Sequence, residues 1–185
     1  MTSDPIPLTT ARLTLRRYRP DDLGPALEYY GDPDVARYLL EDPWTRADGE
    51  KQIAKRVART GIDQPGAALA LAVEHKGAVV GDVALWTTDD TLSRGEIGWV
   101  FHPAHTGKGL ATEAVRAVLG LAFEHYGMHR VVAQLDARNE RSALLCERVG
   151  MTREGLLRQD WWSKGEWTDT LVYGTLASEW DADAA

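Results

Sequence analysis

The hydrophobic pattern of the chain changes period several times, and each period predicts one kind of element. Over residues 12–19, Leu13, Leu15 and Tyr18 stand among arginines, which predicts a first strand. Tight hairpins are predicted where Lys76-Gly77 and Lys164-Gly165 each separate two apolar segments. The further strands are predicted where β-branched and aromatic residues cluster, at residues 67–73, 78–87, 96–102, 130–137, 151–161 and 167–176.

Apolar residues at helical spacing predict a long helix over residues 110–126, which Gly127 ends. Asn139 is placed to cap a second helix that runs to Val149, with Gly150 as its stop. Three shorter helical segments are predicted nearer the N-terminus: residues 23–30, residues 35–39, and a helix from a cap at Thr45 or Asp48 to a stop near Gly61.

The order of these elements predicts the architecture. The strands and helices follow one another without a repeat, a low-complexity tract or a linker, which predicts a single α/β domain over residues 1–185. Residues 96–137 form a strand–helix–strand unit, and such a unit places its two strands parallel. The expected sheet is therefore mixed, with about seven strands and one parallel step among antiparallel neighbours.

Composition narrows the possible functions. The net charge of −7 disfavours a general nucleic-acid binder, which needs a basic surface to neutralise phosphates. An acidic chain attracts cationic substrates such as amines, although the same charge also serves solubility alone. No run of about 20 apolar residues is present, so no membrane span is expected. A single cysteine, Cys146, permits no internal disulfide, and the N-terminus lacks a signal-peptide pattern, so a cytoplasmic protein is expected.

The clearest candidate chemistry lies in the glycine-containing turn that joins the strand at residues 96–102 to the long helix. This turn and the start of the helix read Thr106-Gly-Lys-Gly-Leu-Ala-Thr-Glu-Ala114. Amide N–H groups at the start of a helix point outward at its partially positive end, which predicts a phosphate site. The glycine spacing fits neither a Walker A loop nor a dinucleotide fingerprint. His102 and His105 have no carboxylate cluster near them in the sequence, so no metal site is expected.

Several motifs, in this order along the chain, resemble one family. They are Arg12-Leu-Thr-Leu-Arg16, Asp32-Pro33-x-Val35, Gly98-Trp-Val-Phe-His-Pro before the turn, the turn itself, Asn139-Glu-Arg-Ser142 and Gly150-Met151. Together they resemble the GNAT N-acetyltransferases, and more narrowly the branch that includes the ribosomal-protein N-terminal acetyltransferases RimJ and RimL. The resemblance implies the GNAT fold, which has splayed central strands and helices on both faces of the sheet. It also implies an enzyme that acetylates a primary amine with acetyl-CoA and needs no metal.

The resemblance also implies which residues bind coenzyme A. The pyrophosphate is expected on the amides of the turn, and the pantetheine arm is expected to pair like an extra strand with the preceding strand. Gly107 and Gly109 would otherwise only permit the turn, and Asn139 would cap its helix with or without a ligand. Thr106 departs from the family, in which Gln or Arg is usual. The implied cofactor-binding residues are Trp99, Val100, Phe101, Thr106, Gly107, Lys108, Gly109, Leu110, Ala111, Thr112, Asn139 and Ser142.

The sequence offers more than one candidate residue for catalysis. The family often uses as general acid a tyrosine four residues before the glycine that ends the later helix, and this chain has Cys146 there. RimL-like members use the serine of Asn-x-x-Ser instead, which implies Ser142, unless that hydroxyl only satisfies the backbone of its own helical turn. Glu96 and Glu154 are alternatives for the general base, and a proton relayed by water is a third. The amine attacks the thioester directly, so the enzyme orients the reactants and removes a proton.

The acceptor is the least determined part of the function. A protein N-terminal α-amine is expected, with a small amine such as a polyamine or an aminoglycoside as the alternative. A non-catalytic acyl-CoA-binding module is the alternative from another class. Trp44, Trp161, Trp162 and Trp167 either line the acceptor site or pack in the core or in a homodimer, and Tyr38 is open in the same way.

Overall fold

Eight strands form one mixed sheet. The computed structural model describes residues 4–182. In space the strand order is β1-β2-β3-β4-β5-β6-β8-β7, and only the β5–β6 pair is parallel. The mixed sheet with one parallel step is therefore confirmed, and the additional strand is the two-residue β1, which is too short to show a period. The strands are β1 (Leu8–Thr9), β2 (Leu13–Arg17), β3 (Ala68–His75), β4 (Ala78–Thr87), β5 (Arg94–Phe101), β6 (Arg130–Asp136), β7 (Thr152–Ser163) and β8 (Glu166–Leu176).

Five α-helices connect or flank these strands in the described part of the chain. They are α1 (Leu23–Tyr30), α2 (Pro33–Ala36), α3 (Arg46–Val57), α4 (Leu110–Gly120) and α5 (Glu140–Arg148). The predicted long helix is α4 followed directly by a π-helical turn, Leu121–His125. Thr45 caps α3 by accepting a hydrogen bond from the Asp48 amide, and Asn139 caps α5 in the same way, as the sequence predicts.

Both predicted hairpins have two-residue turns. His75 pairs with Ala78, and Ser163 pairs with Glu166, so each turn consists of the Lys-Gly dipeptide alone. All four turn residues have positive φ, between 51° and 84°. Two left-handed residues in succession make the turn that matches the twist of the flanking strands, and glycine adopts the second position without strain.

The two faces of the sheet carry separate hydrophobic cores. The first core packs α4 and α5 against residues such as Ile97 of β5, and the second packs α1 and α3 against residues such as Val100. Because side chains alternate along a strand, every other residue of β5 faces the second core. Glu96 therefore lies on the second-core face of the sheet, on the same side as Val100.

The parallel strands β5 and β6 diverge after a short pairing. Residues 94–96 pair with residues 130–132, and no later pair joins these two strands. Beyond that point β5 stays with β4 as far as Phe101, and β6 stays with β8 as far as Asp136. The C-terminal half of each strand therefore borders a gap, which is called the splay below. Within residues 4–182, no helix combines the length and apolar character needed to cross a membrane.

Candidate active site at the splay

Two helix N-termini lie at the same end of the splay. Helix α4 follows β5 through the glycine turn, and α5 follows β6 through the Asn139 cap. Because β5 and β6 are parallel, their C-terminal ends lie on the same edge of the sheet, and so do the helices that begin there. The first amides of a helix have no partner within the helix, and they carry a partial positive charge. The open end of the splay is therefore suited to an anionic group.

The turn before α4 has the backbone conformation that a close anion needs. Gly107 and Gly109 both have φ of +74°, a left-handed conformation that L side chains rarely adopt. A Cβ atom on Gly107 would meet nothing within 4 Å, so the space above that residue is open. Gly109 directly precedes α4, so the amides of Leu110, Ala111 and Thr112 begin the helix at this exposed turn. The geometry fits a pyrophosphate held by backbone N–H groups.

Side chains near the turn are used within the loop. The Thr106 hydroxyl donates to the Pro103 carbonyl over 2.8 Å, and the Lys108 ammonium donates to the Ala104 carbonyl over 2.9 Å. Both side chains are exposed to solvent, and both bonds join residues of the same loop. The predicted ligands Thr106 and Lys108 therefore contribute first to the shape of the turn.

Arg12, which directly precedes β2, supports the turn through a contact that the sequence analysis missed. Its guanidinium donates to the Lys108 carbonyl over 2.8 Å and pairs with Glu113 in the first turn of α4 over 2.6 Å. Glu113 also accepts from the Thr10 hydroxyl over 2.6 Å. These hydrogen bonds lower the pKa of Glu113 despite its partial burial. The only sequence signal was that Arg12 and Glu113 belong to motifs shared with the family, and neither motif indicates that they touch.

The edge of β5 that faces the splay can accept an extended ligand. Past Glu96, this edge has no strand partner among residues 4–182. It includes Trp99, Val100 and Phe101, which are half-buried or buried, so their backbone is ordered by packing. A ligand with amide groups can hydrogen-bond to such an edge as an added strand does.

Asn139 and Ser142 lie at the other border of the splay. The Asn139 side-chain oxygen accepts from the Ser142 amide over 3.1 Å, so Asn139 caps α5. The Ser142 hydroxyl is half-buried and makes no hydrogen bond to another described residue, which leaves it available to a ligand. One turn further along α5, Cys146 is fully buried, and burial raises the pKa of its thiol to about 12. Cys146 therefore stays protonated and packs in the first core.

Glu96 lies at the apex of the splay, in the last pair that joins β5 to β6. Its carboxylate is half-buried, and the Gln134 amide donates to its Oε2 over 3.2 Å. Burial raises the pKa of Glu96, and the hydrogen bond from Gln134 opposes that rise. A carboxylate with a raised pKa at the closed end of the splay has the properties of a general base.

Glu154, the alternative base, lies on the same face but in another environment. Glu154 is on β7, three strand spacings from β5, but its carboxylate lies against Gly174 of β8. Gly174 pairs with Val132, and Val132 pairs with Glu96, so about two strand spacings, about 10 Å, separate that carboxylate from Glu96. Both carboxylate oxygens of Glu154 accept from the Arg130 guanidinium. That pairing lowers the pKa of Glu154. Of the two carboxylates, Glu96 is therefore the better placed proton acceptor.

A buried polar cluster on the second-core face was missed by the sequence analysis. Asp82 of β4 is 4% exposed and accepts hydrogen bonds from the hydroxyls of Tyr18, Tyr29 and Tyr30 at 2.6, 3.3 and 3.1 Å. The Arg56 guanidinium lies 3.9 Å from the Asp82 carboxylate and donates to the Tyr30 hydroxyl over 2.8 Å. The available signal was an aspartate within an otherwise apolar strand, because such a residue must find partners when it is buried.

The tryptophans divide into two groups. Trp44 is buried, and its ring stacks on Tyr30 at a centroid distance of 3.9 Å, so it packs in the second core. Trp161, Trp162 and Trp167 of the β7–β8 hairpin are each about half exposed. The tip of this hairpin contacts the end of α2 and the segment after it, because the Lys164 ammonium donates to the carbonyls of Ala36 and Leu39. The hairpin is therefore fixed to the helical region near the N-terminus, and its three tryptophans remain about half exposed.

The fold and the site together define a class of protein. A splayed parallel pair with two helix N-termini at its open end and a carboxylate at its apex suits an enzyme that uses a long, phosphate-bearing cofactor. Within residues 4–182, no group of three or more His, Cys, Asp or Glu side chains is arranged as a metal site.

Comparison with known families gives the same class. Residues 12–152 match the acetyltransferase (GNAT) domain, so the chain belongs to the GNAT family and is an N-acetyltransferase. The structure of a GNAT-family acetyltransferase from Bacillus anthracis is similar, with a TM-score of 0.84 and 28% sequence identity, over 93% of this chain and 99% of that one.

Two further solved structures share the fold at lower identity. One is spermidine N-acetyltransferase from Vibrio cholerae, in complex with CoA and spermine, with a TM-score of 0.78 and 22% identity over 92% of this chain and 98% of that one. The other is RimL, the ribosomal L7/L12 α-N-protein acetyltransferase, with a TM-score of 0.80 and 16% identity over 92% of this chain and 93% of that one. At these identities the likeness concerns the fold alone. Spermidine acetyltransferases and RimL-like enzymes thus share this architecture, and the fold does not distinguish between the two branches.

Proposed function

We propose that the protein transfers the acetyl group of acetyl-CoA to a protein N-terminal α-amine, in a complex that holds both substrates at once. The observation that carries this proposal is the splay between β5 and β6, with the α4 and α5 N-termini at its open end and Glu96 at its apex. Acetyl-CoA supplies the activated thioester. It would lie with its pyrophosphate on the amides after Gly107 and its pantetheine arm along residues 99–101.

The residues of the chain then have separate tasks. Glu96 accepts the proton that the amine must lose before or during its attack on the thioester carbonyl carbon. A backbone N–H on the free edge of β5 stabilises the negative charge that develops on the carbonyl oxygen. The Ser142 hydroxyl donates a proton to the departing sulfur when the C–S bond breaks, and Asn139 hydrogen-bonds the pantetheine. The product is an amide on the acceptor and free CoA.

A small polyamine is the second candidate acceptor. It is favoured by the net charge of −7, which attracts a polycation, and by the shared fold with an enzyme that binds spermine. The expected homodimer and cytoplasmic location remain predictions.

Steady-state acetylation with an amine panel tests the function. The panel contains peptides with a free N-terminus, the same peptides with a blocked N-terminus and free lysines, spermidine, and an aminoglycoside. We expect turnover on free N-termini and little on the blocked peptides. Preferential turnover of spermidine would replace the proposed acceptor with the polyamine, and CoA binding without any turnover would favour the non-catalytic module.

The position of the cofactor is tested separately by CoA affinity, measured by calorimetry. Gly109→Trp should abolish measurable CoA binding, because the indole would fill the space that the pyrophosphate needs. Gly66→Trp is the matched control: Gly66 has the same φ of +74° and lies in the loop before β3, so it introduces the same backbone strain away from the turn. Unchanged CoA affinity in Gly109→Trp would place the cofactor elsewhere.

A further inference from the structure

Gln134 bridges the two splayed strands at the apex. It lies on β6 two residues beyond Val132, where β6 has already separated from β5. Its amide reaches back across the opening to Oε2 of Glu96, at 3.2 Å. Within residues 4–182 no other side chain donates a hydrogen bond to the Glu96 carboxylate, so Oε1 is the oxygen without a side-chain donor.

The surroundings of Glu96 supply no competing charge contact. From β4, its cross-strand neighbour is Trp86, and from β6 it is Val132. Arg94 lies on the same face of β5 but is exposed, and Arg130 of β6 is engaged by Glu154 of β7. Gln134 is therefore the polar group that orients this carboxylate, and its hydrogen bond opposes the rise in pKa that burial causes.

We propose that Gln134 is a positioning residue of the acetyl-transfer site, which holds Glu96 Oε2 so that Oε1 is presented to the acceptor amine. The inference rests on the proposed role of Glu96 as the general base. A neutral donor suits this task. It stabilises the carboxylate form of Glu96 without forming an ion pair that would make it too weak a base, as Arg130 does for Glu154.

Substitutions of opposite electrostatic effect test this role. Gln134→Leu removes the donor, so the pKa of Glu96 should rise and the acidic limb of the pH profile of kcat/KM should move to higher pH. Gln134→Lys places a cation at the same carboxylate, so the limb should move to lower pH. At a pH on the acidic limb, we expect kcat/KM to fall about fivefold in the leucine variant, the factor that one hydrogen bond accounts for. Shifts in opposite directions cannot come from general damage to the fold.

The chain provides a matched control. Gln52 of α3 donates to a carboxylate oxygen of Glu41 over 2.8 Å, which is the same kind of bond at an exposed position outside the splay. Gln52→Leu should leave the pH profile of kcat/KM unchanged.

Glu96→Gln separates this inference from the proposed function. If it abolishes the acidic limb while Gln134→Leu and Gln134→Lys leave the midpoint of that limb where the native enzyme has it, the role of Gln134 is wrong and Glu96 remains the base. If the acidic limb persists in Glu96→Gln, then Glu96 is not the base, and both proposals are overturned. The expected result is loss of the limb in Glu96→Gln and opposite shifts in the two Gln134 variants.

Discussion

Asp82 and Glu96 are acidic residues on the same face of neighbouring strands, yet their surroundings differ in almost every respect. Asp82 is opposite Val100, and Glu96 is opposite Trp86, so the two lie four residues apart along the sheet, about 13 Å. Asp82 is sealed under α1 and α3, with three tyrosine hydroxyls and a guanidinium around it. Glu96 is half-buried and has one hydrogen bond, from Gln134.

The two environments change the properties of different groups. Around Asp82, burial raises the pKa of Tyr18, Tyr29 and Tyr30 well above the ordinary value, so these three hydroxyls stay protonated and donate to the carboxylate. Around Glu96, burial raises the pKa of the carboxylate itself. A buried charge whose hydrogen-bonding capacity is filled stabilises the architecture, whereas one with an open oxygen remains available for proton transfer.

The largest effect is expected from breaking the Asp82 cluster. Asp82→Asn should lower the free energy of unfolding by about 3 kcal/mol, because it leaves the buried Arg56 guanidinium without an anionic partner. Chemical denaturation followed by circular dichroism measures this change. The exposed Asp90 provides the control, since Asp90→Asn should alter stability by less than about 0.5 kcal/mol. Equal effects of the two substitutions would show that the cluster does not stabilise the fold.

A smaller loss should follow when only one hydrogen bond to Asp82 is removed. Tyr18→Phe deletes the shortest of the three, the 2.6 Å bond, and should lower the unfolding free energy by about 2 kcal/mol, as is usual for a bond to a charged acceptor. Tyr29→Phe should cost less, because that bond is 3.3 Å long. Tyr126 is half-buried and its hydroxyl makes no hydrogen bond within the described chain, so Tyr126→Phe should be close to neutral. A larger loss for Tyr126 than for Tyr18 would contradict the ranking.

The smallest effect, and one of opposite sign, is expected at Glu96. The pKa of Glu96 is raised in the folded protein, from an ordinary glutamate value of about 4.3. At pH values between the ordinary and the raised pKa, the folded protein therefore binds more protons than the unfolded chain. Stability from this group therefore falls as the pH rises through that window. Glu96→Gln should stabilise the protein by about 0.5 kcal/mol at pH 8 and by nothing at pH 4.

The test measures the unfolding free energy of Glu96→Gln at pH 8 and pH 4, together with the pH profile of its activity. Asp82→Asn should lose stability and keep the acidic limb of the pH profile, whereas Glu96→Gln should keep stability and lose that limb. A destabilised Glu96→Gln would place Glu96 among the structural residues.

Much of the fold could be predicted because its signals are local. The caps at Thr45 and Asn139 bind amides three residues away, and each Lys-Gly hairpin is set by the two turn residues themselves. The parallel step followed from the order of strand, helix and strand in residues 94–136. The glycine turn belongs with these features, since its two positive-φ glycines lie within three residues of the start of α4.

The remaining features depend on contacts between distant positions. Tyr18, Arg56 and Asp82 come from three separate parts of the chain, and Arg12 reaches Glu113 across 101 residues. In the sequence Glu154 and Glu96 are alternative bases, and only the structure, which pairs Arg130 with Glu154, distinguishes them. The hydrophobic periodicity of a segment does not predict such pairings, because they arise only when non-adjacent segments become neighbours in the sheet.

The sequence by itself determined the elements, the order that makes one strand pair parallel, and the glycine turn with the amides that suit a phosphate. It also determined the family, through motifs that stand in a fixed order. Only the tertiary structure decided that β5 and β6 separate after Glu96 and that Gln134 bridges them. It also decided that Asp82 is buried among hydrogen-bond donors while Glu96 has one such donor. The physical reason is that backbone conformation depends on near neighbours, whereas the acidity of a carboxylate depends on the burial and partners that the whole fold brings to it.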